Sequence, residues 1–213
     1  MTGFLGSFLY IGLMLAINFA ISWWNARSVG KMWSESKAIG GFPRVLAVSG
    51  YVMAVAGFTM VYVTLLMIIV AQIQPYVDFI NEYQSRMLLN LVGDLSYVLI
   101  VMAIVPTGII IWINSLITFW RHKNLKAGGI AAWNTFATVS NTINAAKNMP
   151  SAMGGIKKAF DNNSRGSGNI IMLAIIIVLA AILGGYFTAS AIIHKQDKEY
   201  DFVEKVTGQK LAS

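Results

Sequence analysis

Asp94 is the residue from which any chemistry would start. It is the one carboxylate inside an apolar stretch, 91–120, with Asn90 just before that stretch and Ser96 and Tyr97 following. An acid in hydrocarbon is costly, so such a group handles ions or protons, pairs with a base, or reaches water near a helix end. Asp94 stands only a few residues inside its stretch. Contact with water or with Arg86 is therefore the plainer duty, and ion handling the sharper one. Asn18 and Asn114 fall in apolar surroundings too, where amides either hydrogen-bond between helices or line a wet path. Asn18, Asn90, Asp94 and Asn114, with a kink expected at Pro106, make a candidate polar path.

Little else in the sequence offers chemistry. There is no cysteine, which excludes disulfides, thiolate metal sites and thiol catalysis. The two histidines, His122 and His194, stand at stretch ends that the topology below puts on opposite faces. Neither has a second histidine or a carboxylate cluster at metal-ligand spacing. Residues 154–158 lack both the Gly-x4-Gly-Lys-Ser/Thr spacing of a phosphate loop and a strand before it. The expectation is no metal, no cofactor and no enzymatic activity.

What must position these residues is a set of four long apolar runs, 4–24, 45–71, 91–120 and 170–193. About 20 apolar residues cross a hydrocarbon layer of ~30 Å as a helix, and each run reaches that length. The composition agrees: 56% hydrophobic and 12% charged, against about 25% charged in soluble domains. The expected fold is all-α, a single integral membrane domain of four transmembrane helices with interfacial amphipathic helices between them.

Net charge is +7, and its placement sets the expected orientation. Arg27, Lys31, Lys37 and Arg44 lie between the first and second runs. Arg121, Lys123, Lys126, Lys147, Lys157, Lys158 and Arg165 lie between the third and fourth. The segment between the second and third has only Arg86. Basic connections stay in the cytoplasm, so loops 25–44 and 121–169 are expected inside. Loop 72–90, the tail 194–213 and both termini are expected outside, in a multi-pass protein of the bacterial inner membrane. The basic charge needs no nucleic acid to explain it.

Three connections read as helical. Residues 26–39 mix bases with Val29, Met32, Trp33 and Ile39, an amphipathic pattern suited to a membrane surface, and Gly40-Gly41-Phe42-Pro43 breaks it. In 76–90, Val77, Ile80, Tyr83 and Met87 recur at helical steps, and Glu82 precedes Arg86 at i,i+4. In 130–147, Ile130, Trp133, Phe136 and Ile143 share one side, and Asn134, Thr135, Thr138, Asn141 and Thr142 the other. Such a neutral polar face suits protein neighbours better than bulk solvent. Met149-Pro150 is expected to end that helix, and 161–168 to form a hinge. The charged tail after His194 reads as weakly helical.

Small residues recur along the runs: Gly12, Ala16 and Ala20; Gly50, Ala54 and Gly57; Gly184 and Gly185 within two offset ladders. Such seams let helix backbones approach closely. With Trp133, Phe136 and Ile143 as a docking face, they point to copies of the chain or other membrane proteins as partners, alongside the lipid bilayer. The functional expectation is a non-enzymatic structural subunit of a multi-protein membrane assembly, in the setting of a bacterial or phage envelope or translocation machine. A small channel or carrier with its path near Asp94 is the alternative.

Overall fold

The computed structural model describes residues 2–73, 81–161 and 167–207. Six helices form there, and no strand is present among the described residues: α1 (Thr2–Gly30), α2 (Trp33–Ile39), α3 (Gly41–Ile73), α4 (Glu82–His122), α5 (Leu125–Asp161) and α6 (Ser167–Thr207). α1, α3, α4 and α6 each contain a segment long and apolar enough to cross a membrane.

Local chemistry sets the boundaries. Gly40 and Gly41 both adopt positive φ, 67° and 59°, and so reverse the chain between α2 and α3. Asn81 starts α4 with a reciprocal capping box: its side chain accepts from the Gln84 N–H, and the Gln84 side chain accepts from the Asn81 N–H. Lys123, left-handed at φ 48°, closes α4 by donating its N–H to the Phe119 carbonyl at 2.8 Å. Asn124 follows at once as the cap of α5, accepting from the Ala127 N–H at 2.8 Å. Two residues thus join two very long helices into a tight hairpin.

α3 lies at the centre, packed against α1, α4 and α6, while α5 lies mainly on α4 and touches α6 only sparingly. One core cluster joins Val63, Leu88, Leu91 and Val92 to Ile170, Ala174 and Val178 at the α4 N-terminal end. A second joins Ala26, Val29, Ala54 and Phe58 to Ala189 and Ile193 toward the other end. Close approach depends on glycine. A Cβ on Gly185 would meet the Thr59 amide at 2.8 Å and the Val55 carbonyl at 2.9 Å, so α3 and α6 touch backbone to backbone. A Cβ on Gly57 would overlap the Ser22 hydroxyl, one on Gly50 would overlap Val29, and the Tyr62 ring lies against Gly184. Ala54 is fully buried. Gly12 differs, with open space where its Cβ would be.

Several sequence expectations are corrected. Residues 26–39 are not one surface helix: α1 runs on to Gly30, and the short α2 docks on α3 and α6. Residues 82–90 are the first turns of α4 rather than a separate helix; Val77 and Ile80 lie outside the described residues. Pro150 does not end the third amphipathic segment. α5 continues through it to Asp161, because Ala152, Ile156 and Ala159 keep the same inward face after it, and that packing offsets the lost backbone bond. Most of the expected hinge, 162–166, lies outside the described residues.

The tail is the largest correction. α6 is 41 residues long and carries His194–Asp201 as regular helix. Arg27 Nε donates to Gln196 Oε1 at 2.6 Å. Asp197 accepts from both the Ser34 N–H, at 3.0 Å, and the Ser34 hydroxyl, at 2.6 Å. The segments 25–44 and 194–201, expected on opposite faces, therefore stand at one end of the bundle. His122 and His194 share that end as well.

The glycine contacts generate a stability prediction. Gly185→Val should lower the unfolding free energy in detergent micelles by about 1–3 kcal/mol, the usual cost of overpacking. Gly12→Ala should leave it unchanged or raise it by up to about 1 kcal/mol through helix propensity. Equal effects of the two substitutions would contradict the close α3–α6 approach.

Candidate functional site

The polar residues singled out from sequence are dispersed rather than gathered. Asn18 is partly exposed on α1 and donates to the carbonyl of Met14, on its own helix, at 2.9 Å. Asn90 and Asp94 lie one turn apart near the start of α4. Asn114 lies near its other end, in a cleft of about 320 Å³ with Asn25, Ser28 and Asn134. At 1.5 Å rise per residue, Asp94 and Asn114 are roughly 30 Å apart along the helix.

Asp94 does not face Arg86. Arg86 pairs with Glu82 on the exposed first turn of α4, an arrangement of little energetic weight at that exposure. The Asp94 carboxylate points instead at α5, where Gly155 leaves room for it; a Cβ there would overlap the carboxylate. The surrounding cleft, about 920 Å³, is lined by Arg86, Asn90, Asp94, Ser151, Gly155 and Lys158. It brings one acid and two bases to the mouth of the hairpin. The two histidines stand at the far end. What the cleft can do is hold charge, or bind a partner carrying both signs.

Between these two clefts, polar contacts run along the α4–α5 seam. Tyr97 donates its hydroxyl to the Asn144 carbonyl at 2.8 Å. The Thr138 hydroxyl, buried, donates to the Gly108 carbonyl at 3.3 Å. The Trp112 indole N–H donates to Thr135 Oγ1 at 2.8 Å, and Thr135 in turn donates to the Ala131 carbonyl at 2.7 Å. Of the Asn/Thr side of α5, Thr138 is buried and Asn134 and Thr135 are half-buried against α4, while Asn141 and Thr142 are exposed. Trp133, Phe136 and Ile143 are exposed on the other side. A groove of about 370 Å³ between α3, α4 and α5 takes Ser96, Asn141 and Asn144 into its wall.

The other end carries a cluster that sequence reasoning missed. Arg44 stacks on the Trp33 ring at 4.2 Å, and Lys37 approaches the same ring at 5.4 Å. Asp197 supplies α2 with the N-terminal carboxylate that Met32, at its cap position, cannot provide. The available signal was the charged stretch after His194, with Asp197 among its acids, which reads as a free tail only if its proximity to 33–39 is unknown.

The facing positions at the mouth of the hairpin are testable because the chain has no cysteine of its own. A Cβ at Gly155 would lie 3.1 Å from Asp94 Cγ, within the reach of a disulfide. The pair Asp94→Cys with Gly155→Cys should therefore cross-link on mild oxidation, giving a mobility shift reversed by reductant. Asp94→Cys with Gly129→Cys, at the opposite end of α5, should not. Comparison of the chain with known family models, curated proteins and solved structures found no match.

Proposed function

We propose that the chain is a polytopic membrane protein that serves as a structural subunit of a multi-protein membrane assembly, without enzymatic activity. Support for lipid as its solvent comes from the way each residue size is used. Ala26, Ala47, Ala54, Ala174, Ala181 and Ala189 are buried, while Leu13, Trp24, Met102, Trp120, Leu183 and Phe187 are exposed. A bundle in water places its large apolar residues inside, and a soluble monomer exposes no apolar surface of this extent. In lipid, where tails are as apolar as leucine, packing favours small residues between helices. Hydroxyls follow the same logic: Ser22, Ser49, Thr64, Thr107 and Thr118 donate to carbonyls of their own helices, which satisfies them where water is absent.

The observation that carries the assembly role is the outer half of α1. Its second half is packed, with Ser22, Ala26 and Val29 buried against α3 and α6. Between residues 9 and 20 one face is open: Leu9, Leu13 and Ile17 are exposed, Gly12, Ala16 and Ala20 are exposed with them, and no described residue fills the space beside Gly12. A small-residue seam of this kind suits a second helix, from a copy of the chain or from another membrane protein. The dispersal of Asn18, Asn114 and the Asp94 cleft along the bundle supports a non-catalytic role.

A carrier is the second reading, favoured by the three clefts that follow one another along α4 from Asp94 to Asn114. Intact mass analysis after extraction in mild detergent separates the two. The assembly reading expects the chain in complexes larger than one copy, and Gly12→Leu should shift them toward the free chain. A clean monomer at all detergent strengths would overturn it. Specific solute flux in reconstituted vesicles, abolished by Asp94→Ala, would establish the carrier instead.

A further inference from the structure

We infer that α5 is itself a membrane crossing, with the acyl chains of the bilayer against its Trp133, Phe136 and Ile143 face, so that the chain crosses five times rather than four. The inference rests on the membrane reading above and extends it to the segment that its sequence marks as a loop. Its first support is register. α5 runs antiparallel to α4 and stays beside it throughout: Gly128 meets the Phe119 ring, Thr135 bonds Trp112, Thr138 bonds Gly108, Asn144 bonds Tyr97, and Gly155 receives Asp94. Wherever α4 crosses, α5 lies at the same depth. The second support is charge. Residues 127–146 contain no Asp, Glu, Lys or Arg, and Lys126 and Lys147 bound them. That interval is about 20 residues, or ~30 Å of helix, the thickness of the hydrocarbon layer.

The third support is the orientation of the faces. A helix lying in cytosol would turn its polar side out. α5 turns Thr135 and Thr138 inward, where they bond to α4, and presents Trp133, Phe136, Val139 and Ile143 outward. That outer face continues the apolar exterior of α4, where Leu99, Met102, Ile113 and Trp120 are exposed. Thr135 and Thr138 are thus sheltered in the hairpin, with Asn134 half-buried beside them, while Asn141 and Thr142 remain exposed; hydroxyl groups are held in this way within membranes.

A fifth crossing also resolves the position of α6. With α5 crossing, Asp161 stands at the end opposite Asn124, and α6 returns to the end of α1 where Gln196 and Asp197 bond Arg27 and Ser34. Arg27, Lys31, Lys37 and Arg44 share that end with Arg121, Lys123 and Lys126, while Arg86, Lys147, Lys157 and Lys158 hold the other. The basic bias then places the α2 end in the cytoplasm, with the end of α1 that carries Leu9 outside and residues 194–201 inside.

Single-cysteine labelling tests this on the full chain. Asn124→Cys, Asp161→Cys and Lys198→Cys, all exposed positions, are each expressed in membranes and probed with a membrane-impermeant maleimide. Right-side-out and inverted vesicles are compared. Five crossings expect Asn124→Cys and Lys198→Cys to label from one face and Asp161→Cys from the other, and Phe136→Cys to label only after detergent is added. Labelling of Asn124→Cys and Asp161→Cys from the same face, with Lys198→Cys on the opposite one, would overturn the inference and leave the membrane reading standing. Release of the chain by alkaline carbonate would overturn both.

Discussion

The approach of helix backbones along α3 is the constraint on which the rest depends. Three long helices converge on α3, and those on two of its sides meet it where a Cβ has no room: α1 at Gly57 and Gly50, and α6 at Gly185. At the points of closest approach only small residues fit, and the buried positions of α3 are mostly Ala, Gly, Ser and Thr, with Phe58, Val61 and Val63 among them. Many larger apolar side chains are then directed outward, while Phe58, Leu88, Leu91 and Ile193 fill the core between the points of closest approach. The apolar exterior is therefore a consequence of tight packing rather than a separate feature. It demands a solvent that tolerates it.

The same constraint governs the polar groups. A tight interior without water leaves hydroxyls few partners beyond the backbone of their own helix, and most of those named above take that route. Thr107 shows its use. Pro106 cannot donate to the carbonyl four residues back and disturbs the turn before it. The Thr107 hydroxyl donates to the Ala103 carbonyl at 2.6 Å, one residue beyond the Met102 carbonyl that the proline leaves without its helical donor. Longer-range polar bonds run between helices, as Tyr62 with Thr188 and the α4–α5 pairs do, and also pin the chain where it reverses. Asp197 on Ser34 and Gln196 on Arg27 hold the end of α6 to α1 and α2, and Asn124 holds the entry to α5.

The four apolar helices were legible in the sequence because length and hydropathy alone define them. Gly40-Gly41 and the basic charge around 25–44 were legible for the same kind of reason, being local signals. α5 was not read as a long helix. Its Asn and Thr residues depress its hydropathy, and Pro150 falls where a helix would end in isolation. Thr135 and Thr138 are inward on α5 because α4 supplies partners for them, a fact of tertiary structure that periodicity does not encode. The absence of charge over 127–146 was visible, and read beside the length of α4 it was the signal available. The dispersal of Asn18, Asn90, Asp94 and Asn114 was likewise hidden. Sequence places each on a span but not at a rotation about its axis, and two of them, Asn90 and Asp94, share a cleft only because they lie one turn apart.

The seam between α4 and α5 bears on which functional reading is the better one. A solute path needs polar groups with free hydrogen-bonding capacity facing the solute. Along this seam the strongest donors are engaged across the hairpin: the Trp112 indole with Thr135, the Tyr97 hydroxyl with the Asn144 backbone, and Thr138 with the Gly108 carbonyl. Interhelical bonds of this kind contribute on average ~0.6 kcal/mol each in membranes, so together they hold α5 in register without making it immovable. Opening a path along the seam would require breaking all three. Groups arranged in this way act as adhesive between two helices, and the charge at Asp94, Arg86 and Lys158 sits at the mouth of the hairpin rather than at its middle. That distribution favours a rigid scaffold whose surfaces are presented to neighbours over a conduit that opens and closes.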